Sequence, residues 1–343
     1  AGGATSINGL SDGTTPATGN IGLGTGAVDS ITTGDYNVGL GDDALTATTS
    51  GHSNTANGYK ALAANTTANN NTAIGRHSLL TNTTGADNTA VGRDSMRMNL
   101  TGSSNVGIGY ETLYANTSGA YNVALGALAL DANTTANNNT AIGYSALTAN
   151  TTGHSNVAIG KDAFASNTTG QRGVAIGTDA LQANTTANYG VAIGFEALAA
   201  NTTGANNIAI GKSTLQANIT GANNTAIGFE SMVANTTGAA NTSVGTNSLD
   251  ANTTGQQNVA SGYLALTTNT TGSYNNAFGV GALNDNTAGS NNTAVGHTAL
   301  YSNNTASYNS AVGSEALYNN TTGAGNTASG YAAMYANTTG SSN

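Results

Sequence analysis

The stretch Asn139–Ser155, NTAIGYSALTANTTGHS, is one complete copy of a pattern that the chain repeats along most of its length. Its glycine, Gly143, recurs with a period of seventeen from Gly24 to Gly330, in 19 copies without an insertion or a deletion. A disordered Gly-rich chain has no reason to keep such a strict period, so the spacing predicts a folded repeat architecture. We count positions within the repeat from this glycine, which is position 0.

The residues around the glycine indicate the local structure of the repeat. Position +4 is large and apolar in all 19 copies, position +3 is Ala, Ser or Thr, and position +15 is Gly, Ala or Ser. Positions +14 to +16, for example Val157–Ile159, alternate β-branched or apolar residues with a small residue. This alternation predicts a short β-strand with the small residue on one face.

A repeat of this length is too short for a strand and a helix, but it fits one coil of a parallel β-solenoid. We therefore predict an all-β fold, a parallel β-solenoid (β-roll) of about 19–20 coils that occupies residues 21–343 without interruption. Residues 1–20 depart from the repeat at Ile7 and Pro16 and are predicted to form an N-terminal lead-in or cap.

Two further positions predict the backbone conformation. Position +13 is Asn in 17 copies and Gly in two, Gly173 and Gly190. Because both residue types tolerate a left-handed backbone, +13 is predicted to be a tight turn before the strand. Position +10 is Gly in 15 copies and Ala in four, which indicates a need for a small side chain rather than for a positive φ.

The composition excludes several classes of function. The net charge is −9 and no Lys or Arg follows Lys212, which argues against nucleic acid as a partner. The chain has no Cys, so it has neither disulfides nor thiolate metal sites. No apolar run approaches the roughly 18 residues of a membrane-spanning helix. We predict no membrane span.

An Asn at position +7 is followed two residues later by Thr or Ser in 16 copies. These asparagines are Asn65, Asn82, Asn99, Asn116, Asn133, Asn150, Asn167, Asn184, Asn201, Asn218, Asn235, Asn252, Asn269, Asn303, Asn320 and Asn337. The pattern is that of N-glycosylation acceptors, and glycans on every coil would make the chain the core of a sugar-coated filament. The alternative is turn chemistry, in which the amide and the hydroxyl bond nearby backbone groups. The copies with Ile31 and Thr48 at +7 lack the Asn but keep the hydroxyl at +9, which favours turn chemistry.

No arrangement typical of catalysis occurs in the sequence. The four histidines fall at unrelated repeat positions, and no nucleophile elbow or phosphate-binding loop is present, so we predict no enzyme and no cofactor. Half of the acidic residues lie at +2, and Asp162, Asp179 and Glu196 fall on consecutive coils. These three are a weak candidate for a calcium site. A solvated, aggregation-resistant edge is the favoured alternative, so no metal is expected.

Exposed side chains suggest two kinds of ligand. All 14 Tyr lie at +1, +5 or +12, the most variable positions, and are predicted to face outward, where they either bind sugars or partner proteins or are ordinary surface residues. The repeated Thr at +8 and +9 suggest an ice-binding face. Adjacent residues on a strand point to opposite sides, however, which disfavours ice binding.

Asn156–Gly160 (NVAIG) and Asn207–Gly211 (NIAIG) resemble the head repeats of trimeric autotransporter adhesins, whose repeat is shorter. The whole repeat is similar to the shafts of bacterial and phage tail-fibre-type proteins. The resemblance implies a β-roll in an extracellular, usually trimeric fibre on a cell surface or virion, which is an adhesin or tail-fibre shaft without enzymatic activity. A surface glycan or a host receptor is then an expected partner. The alternative is a ligand-binding solenoid for glycan or ice.

The chain itself is the main predicted partner. The predicted strand is small or apolar on both faces, so one face is expected to fill the coil interior and the other a subunit interface. This favours a parallel homotrimer with the strand at or near its axis. Solenoid ends need caps, and the repeat stops at Asn343 without one. The alternatives are a longer chain or a head-to-tail filament in which another subunit continues the stack.

Overall fold

The computed structural model describes residues 17–343, which form two compact units. The first ends at Thr169 and the second comprises Gly170–Asn343. Both units are parallel β-solenoids with the predicted spacing of seventeen, and the described residues contain short strands and turns but no helix. Ile7 and Pro16 of the predicted lead-in lie outside the described residues.

Each coil contains one strand of three residues, at the predicted positions +14 to +16. In the first unit the strands are β1 Ile21–Leu23, β2 Val38–Leu40, β3 Thr55–Asn57, β4 Thr72–Ile74, β5 Thr89–Val91, β6 Val106–Ile108, β7 Val123–Leu125, β8 Thr140–Ile142 and β9 Val157–Ile159. In the second unit they are β10 Val174–Ile176, β11 Val191–Ile193, β12 Ile208–Ile210, β13 Thr225–Ile227, β14 Thr242–Val244, β15 Val259–Ser261, β16 Asn276–Phe278, β17 Thr293–Val295, β18 Ser310–Val312 and β19 Thr327–Ser329.

Within each unit, neighbouring strands pair in parallel with a register equal to the repeat. Val106 lies beside Val123 in the first unit, and Val191 lies beside Ile208 in the second. Since the register equals the repeat, every residue has its counterpart on the next coil about 4.8 Å away, and equivalent residues form ladders. The turns continue this pattern, as Thr117 N donates to the carbonyl oxygen of Thr134 at 2.9 Å.

The apolar interior of each coil is formed by three positions of the repeat, +3, +4 and +15. The small strand residue at +15, such as Ala124, is fully buried, whereas the residues on either side of it are not. The Leu at +4 and the small residue at +3 are buried opposite it, and Phe164 is the largest fully buried side chain of the first unit. Each buried Leu contributes about 1.5–3 kcal/mol. The predicted inward and outward faces of the strand are confirmed.

The prediction of a left-handed turn at +13 is wrong. Positive φ occurs at positions 0, +2, +4 and +12 instead. In one coil these are Gly143 (φ 135°), Ser145 (53°), Leu147 (52°) and Ser155 (60°). The exchange of Asn and Gly suggested a backbone reason for Asn at +13, but Asn139 is not left-handed and is held there by its buried side-chain amide.

A left-handed Leu at +4 is unusual, because an L-residue in this conformation costs roughly 1–2 kcal/mol. Two interactions hold it. The Leu147 N–H donates to the carbonyl oxygen of Ala163 on the next coil at 3.0 Å, and its side chain is fully buried. The strain is therefore offset by a hydrogen bond and by a core contact that recur on most coils.

The two glycine positions have different requirements. At position 0, Gly92 has a φ of 133°, and a Cβ there would collide with the Gly109 carbonyl of the next coil. At +10, Gly85 has no positive φ, but a Cβ would approach the Gly102 carbonyl in the same way. Ala68 shows that Ala is accommodated at +10, at 4% exposure. The prediction of smallness at +10 is confirmed.

Candidate functional site

Position +7 places an Asn amide inside each coil. Asn99 Nδ2 donates to Asn82 Oδ1 on the preceding coil at 2.8 Å and to the Gly102 carbonyl of its own coil at 2.9 Å. Asn99 Oδ1 in turn accepts a hydrogen bond from Asn116 Nδ2 at 2.7 Å. Both Nδ2 hydrogens are used, and the side chain is fully buried. The side chains at +7 thus form a buried amide ladder.

The second unit contains the same ladder. Asn235 Nδ2 donates to Asn218 Oδ1 at 2.8 Å and to the Gly238 carbonyl at 3.0 Å, and Asn252 Nδ2 donates to Asn235 Oδ1 at 2.8 Å. Of the 16 asparagines in Asn-x-Thr/Ser, Asn337 is half-buried and the others are at most 1% exposed. The structure therefore places these predicted site residues together inside the coils rather than on the surface.

Two coils that depart from the Asn-x-Thr/Ser pattern distinguish a structural role of position +7 from glycosylation. Asn286 is followed by Ala288 and is no acceptor, yet its Nδ2 donates to Asn269 Oδ1 at 2.8 Å and to the Gly289 carbonyl at 3.0 Å. Thr48 replaces the Asn, and its hydroxyl contacts Asn65 Nδ2 at 3.4 Å. An N-glycan would be attached to Nδ2, which points inward, so the geometry favours the structural role. Glycosylation stays a prediction.

Position +13 forms a second buried amide ladder, which the sequence had not indicated. Asn105 Oδ1 accepts from the backbone N of Asn122 at 3.0 Å and from its Nδ2 at 3.2 Å. Asn105 Nδ2 donates to the Gly119 carbonyl of the next coil at 2.8 Å. At the turn before the strand, Asn105 Oδ1 takes the place of a backbone carbonyl as the acceptor for the Asn122 N–H. This explains the use of Asn at +13.

The hydroxyl groups that bond the backbone lie at +8, not at +9 as expected. Thr117 Oγ1 donates to the Thr134 carbonyl, and Thr236 Oγ1 donates to the Thr253 carbonyl, each at 3.0 Å. The Thr at +9, such as Thr203, is exposed. The Thr hydroxyls at +8 are thus used by the backbone of the next coil, and the exposed Thr column is the one at +9. Ice binding stays a prediction.

The three carboxylates of the calcium candidate have separate partners. Asp162, in the first unit, lies 3.3 Å from Lys161 Nζ. In the second unit, Asp179 accepts a hydrogen bond from Gln182 at 2.7 Å and Glu196 accepts one from Gln216. In the part of the chain from position 17 to 343, no group of three or more His, Asp or Glu side chains is placed to hold a metal ion. The calcium site stays a prediction.

Two carboxyl groups have shifted pKa values, and burial is the main cause of both. Burial raises the pKa of Asp131 in the first unit, and the charge of Glu111 on the preceding coil raises it further. Burial alone raises the pKa of Asp285 in the second unit. These shifts follow from the stacking of side chains on neighbouring coils.

The outward face of the strands carries a mainly apolar column at +16 in both units, beside a mixed column, mostly Val, Ile and Thr, at +14. We call positions +14 and +16 the strand face. At +16, Ile74, Ile108 and Ile159 in the first unit are 40%, 42% and 36% exposed. In the second unit Ile210 and Ile227 are 37% and 38% exposed. Each unit thus presents a row of partly exposed β-branched side chains at the strand spacing.

The tyrosine side chains lie on the outside of the coils, as predicted, and three of them stack in the +5 column. Tyr318 lies between Tyr301 and Tyr335, with ring centroids 5.1 and 5.2 Å apart. Burial and the neighbouring tyrosines raise the pKa of Tyr318. Because residues one repeat apart are neighbours, this stack could have been found by aligning the repeats in columns.

A cluster of cations on the first unit was not predicted from the sequence. Lys60, Arg76, Arg93 and Arg97 are four of the seven Lys and Arg residues, and they lie on three consecutive coils of the first unit. An open cleft of about 430 Å³ lies beside Lys60. It is lined by Asp43, Thr46, Lys60, Ala63, Ala64, Leu80 and Thr81. The small side chains at +5 and +6 leave this space between larger neighbours.

None of the described residues belongs to a helix that is long and apolar enough to span a bilayer. The chain matches no protein-family model and no curated protein. The parallel β-solenoid with a repeat of seventeen is present, and the relation to adhesin-head and tail-fibre repeats stays a prediction.

Proposed function

We propose that the chain is a structural, non-enzymatic solenoid that assembles with copies of itself into the shaft of an extracellular fibre, on a cell surface or a virion. The observation that carries this proposal is the strand face. A parallel sheet is normally covered on both faces. Here the inner face is covered by the coil, whereas the outer face exposes a regular apolar row in each unit.

A second copy of the chain is the occupant that fits this face best. The strand face of each copy has the same spacing, so copies aligned in parallel bring equivalent side chains together on every coil. A homotrimer with the strand faces at its axis would cover three apolar rows at once. The resemblance to trimeric fibre repeats supports this arrangement over a head-to-tail filament.

The interior supports a structural role rather than catalysis. Every buried side-chain nitrogen or oxygen in the described residues has a hydrogen-bond partner, most of them in the two amide ladders. These groups stabilise the stacking of coils. A glycan-coated core and an ice-binding solenoid remain the alternatives. Thermal hysteresis in a freezing assay would identify an ice-binding solenoid rather than a fibre shaft.

The proposal is tested by measuring the molar mass in solution. The wild-type chain at micromolar concentration is expected to elute as a trimer by size exclusion with light scattering. The double variant Ile210→Lys/Ile227→Lys places two charges on the strand face and is expected to dissociate it. Thr203→Lys/Thr220→Lys adds the same charges to the exposed +9 column of the same coils and is the matched control.

Circular dichroism of all three proteins checks that the coils remain folded. A wild-type chain that is monomeric, or a control variant that dissociates to the same extent, contradicts assembly through the strand face.

A further inference from the structure

One surface of the first unit concentrates positive charge on a chain that is otherwise acidic. Position +1 carries Tyr59, Arg76, Arg93 and Tyr110 on four consecutive coils, and Lys60 lies beside Tyr59 at +2. We call these five residues the basic strip. Both tyrosines and both arginines of the strip are exposed. Neighbouring members lie one strand spacing apart, roughly 4.8 Å.

The strip places like charges next to each other. Arg76 and Arg93 occupy the same turn position on adjacent coils, so their like charges repel each other. Among the described residues no carboxylate forms an ion pair with Arg76. An anion bound between these two positions would compensate their charges.

A buried carboxylate orients the cations without neutralising them all. Asp94, which is 6% exposed, lies 3.3 Å from Arg93 Nε and 3.5 Å from Arg97 Nη1. His77 Nδ1 is 3.2 Å from the same carboxylate. The single negative charge of Asp94 is thus shared between the guanidinium groups of Arg93 and Arg97. The Arg93 guanidinium also stacks 4.5 Å from the ring centroid of Tyr110, which limits its rotamers.

Aromatic rings frame the two arginines along the strip. Tyr59 is 43% and Tyr110 is 39% exposed. Lys60 Nζ lies 5.3 Å from the Tyr59 centroid, and the cleft of about 430 Å³ opens beside this lysine. Clefts of this volume are in the range of ligand sites. The strip therefore combines anion-pairing groups with exposed ring surface, and the cleft borders it at Lys60.

We propose that the basic strip binds an acidic polysaccharide through its carboxylate or sulfate groups. The sites lie in a row at a regular spacing, which fits a linear polymer with a repeated anionic group better than a single small anion. Exposed tyrosine rings pack against the apolar faces of pyranose rings, while the guanidinium groups pair with the acidic substituents.

Nucleic acid fits the strip less well. Duplex DNA carries one negative charge per roughly 1.7 Å of its axis, and its binders neutralise this charge with broad basic surfaces. Here Asp43 borders the cleft and Glu111 lies beside Tyr110. Acidic groups therefore flank the three cations of the strip, Lys60, Arg76 and Arg93. A polysaccharide carries its charges further apart and meets less repulsion from these groups.

Binding is measured by biolayer interferometry with four immobilised probes: polygalacturonate, dextran sulfate, neutral dextran and single-stranded oligothymidylate. Wild-type protein is expected to bind polygalacturonate or dextran sulfate but not neutral dextran, and more weakly as the salt concentration rises. The double variant Arg76→Gln/Arg93→Gln is expected to bind at least about tenfold more weakly, because it removes two charged hydrogen-bond donors that pair with the acidic groups.

Arg172→Gln is the matched control. Arg172 also lies over the tyrosine one repeat later, with its guanidinium 5.5 Å from the Tyr189 centroid, but it is in the second unit and has no second arginine beside it. The control is expected to bind as the wild type does. A loss in the double variant alone supports the proposal, and the polyanion that binds more tightly identifies carboxylate or sulfate as the partner group.

The proposal is overturned if neither acidic polysaccharide binds, if neutral dextran binds equally, if the control loses as much affinity, or if oligothymidylate binds as tightly. It does not depend on self-assembly. The strand-face variant Ile210→Lys/Ile227→Lys leaves the first unit unchanged, so its polysaccharide binding is measured beside its molar mass. Loss of one property without the other distinguishes a failure of the basic strip from a failure of the fibre proposal.

Discussion

Asn88 and Asn99 belong to different amide ladders, yet their Nδ2 atoms donate to the same carbonyl oxygen, that of Gly102, each over 2.9 Å. Asn88 reaches it from the preceding coil and Asn99 from its own. The +10 carbonyl is thus the point at which the two ladders meet. A larger residue at +10 would displace this acceptor, which explains the restriction to Gly and Ala.

The first prediction concerns the +7 ladder. Asn99→Ala removes the donor to Asn82 and to Gly102 and leaves buried polar groups unpaired, so we expect a loss of about 1–3 kcal/mol in the free energy of unfolding. Thr101→Ala, at the exposed +9 position of the same Asn-x-Thr, is the control and is expected to change it by less than about 0.5 kcal/mol. Denaturant unfolding measures both. Equal losses would contradict a structural ladder.

The second prediction concerns glycosylation in the native source. The asparagine amides are buried and bonded, so we expect the tryptic peptide 98–161, which contains Asn99, Asn116, Asn133 and Asn150, to have its unmodified mass. Mass spectrometry of protein purified from its source gives the answer. Hexose-sized mass increments on this peptide would show that glycans are attached before the coils close.

The third prediction concerns the left-handed position +12. Ser155 has a φ of 60° and is exposed. Ser155→Val introduces a β-branched residue that avoids this conformation, and we expect it to lower the free energy of unfolding by about 1–2 kcal/mol. Ser155→Gly is expected not to lower it, because Gly adopts positive φ freely.

The neighbouring Thr152→Val, at +9, controls for the effect of Val itself, and thermal unfolding measures all three variants. If both Val variants lose the same stability, the left-handed backbone at +12 is not the cause.

The fourth prediction concerns pH. The pKa of Asp131 is raised in the folded chain, so this carboxyl holds its proton to a higher pH than in the unfolded chain. Its contribution favours folding below the unfolded pKa and is lost as pH rises through the folded pKa. Asp131→Asn removes the charge, and we expect it to stabilise the protein at pH 7 by less than about 1 kcal/mol. At pH 3, where the wild-type carboxyl is protonated, the difference should disappear, and a difference that persists would point to a lost contact instead.

The strand and its faces could be predicted from the sequence because the repeat fixes them. Small residues at +15 and apolar residues at +4 occur in every copy, and Ala124 and Leu130 are fully buried as a result. The left-handed Leu at +4 could not be predicted, since Leu avoids positive φ in isolation and adopts it here only because burial and the ladder compensate.

Three other features were harder to predict from the sequence, each for a different reason. Asn and Gly share a tolerance for positive φ, so the exchange at +13 suggested a backbone role and concealed the amide ladder around Asn105. Arg76 and Arg93 become neighbours only once the repeats are written in columns. The side chain that bonds the backbone, Thr117 at +8 rather than its neighbour at +9, depends on coil geometry that the pattern does not contain.

The register of one full repeat between neighbouring strands also has a genetic consequence. Deleting or duplicating one repeat length, wherever the cut is made within one of the compact units, brings the same repeat position into the same ladder. Unequal recombination between copies would thus change the number of coils without creating a new junction to be optimised. A change of any other length that is not looped out of a turn would shift both amide ladders at once, and the period from Gly24 to Gly330 contains no such change.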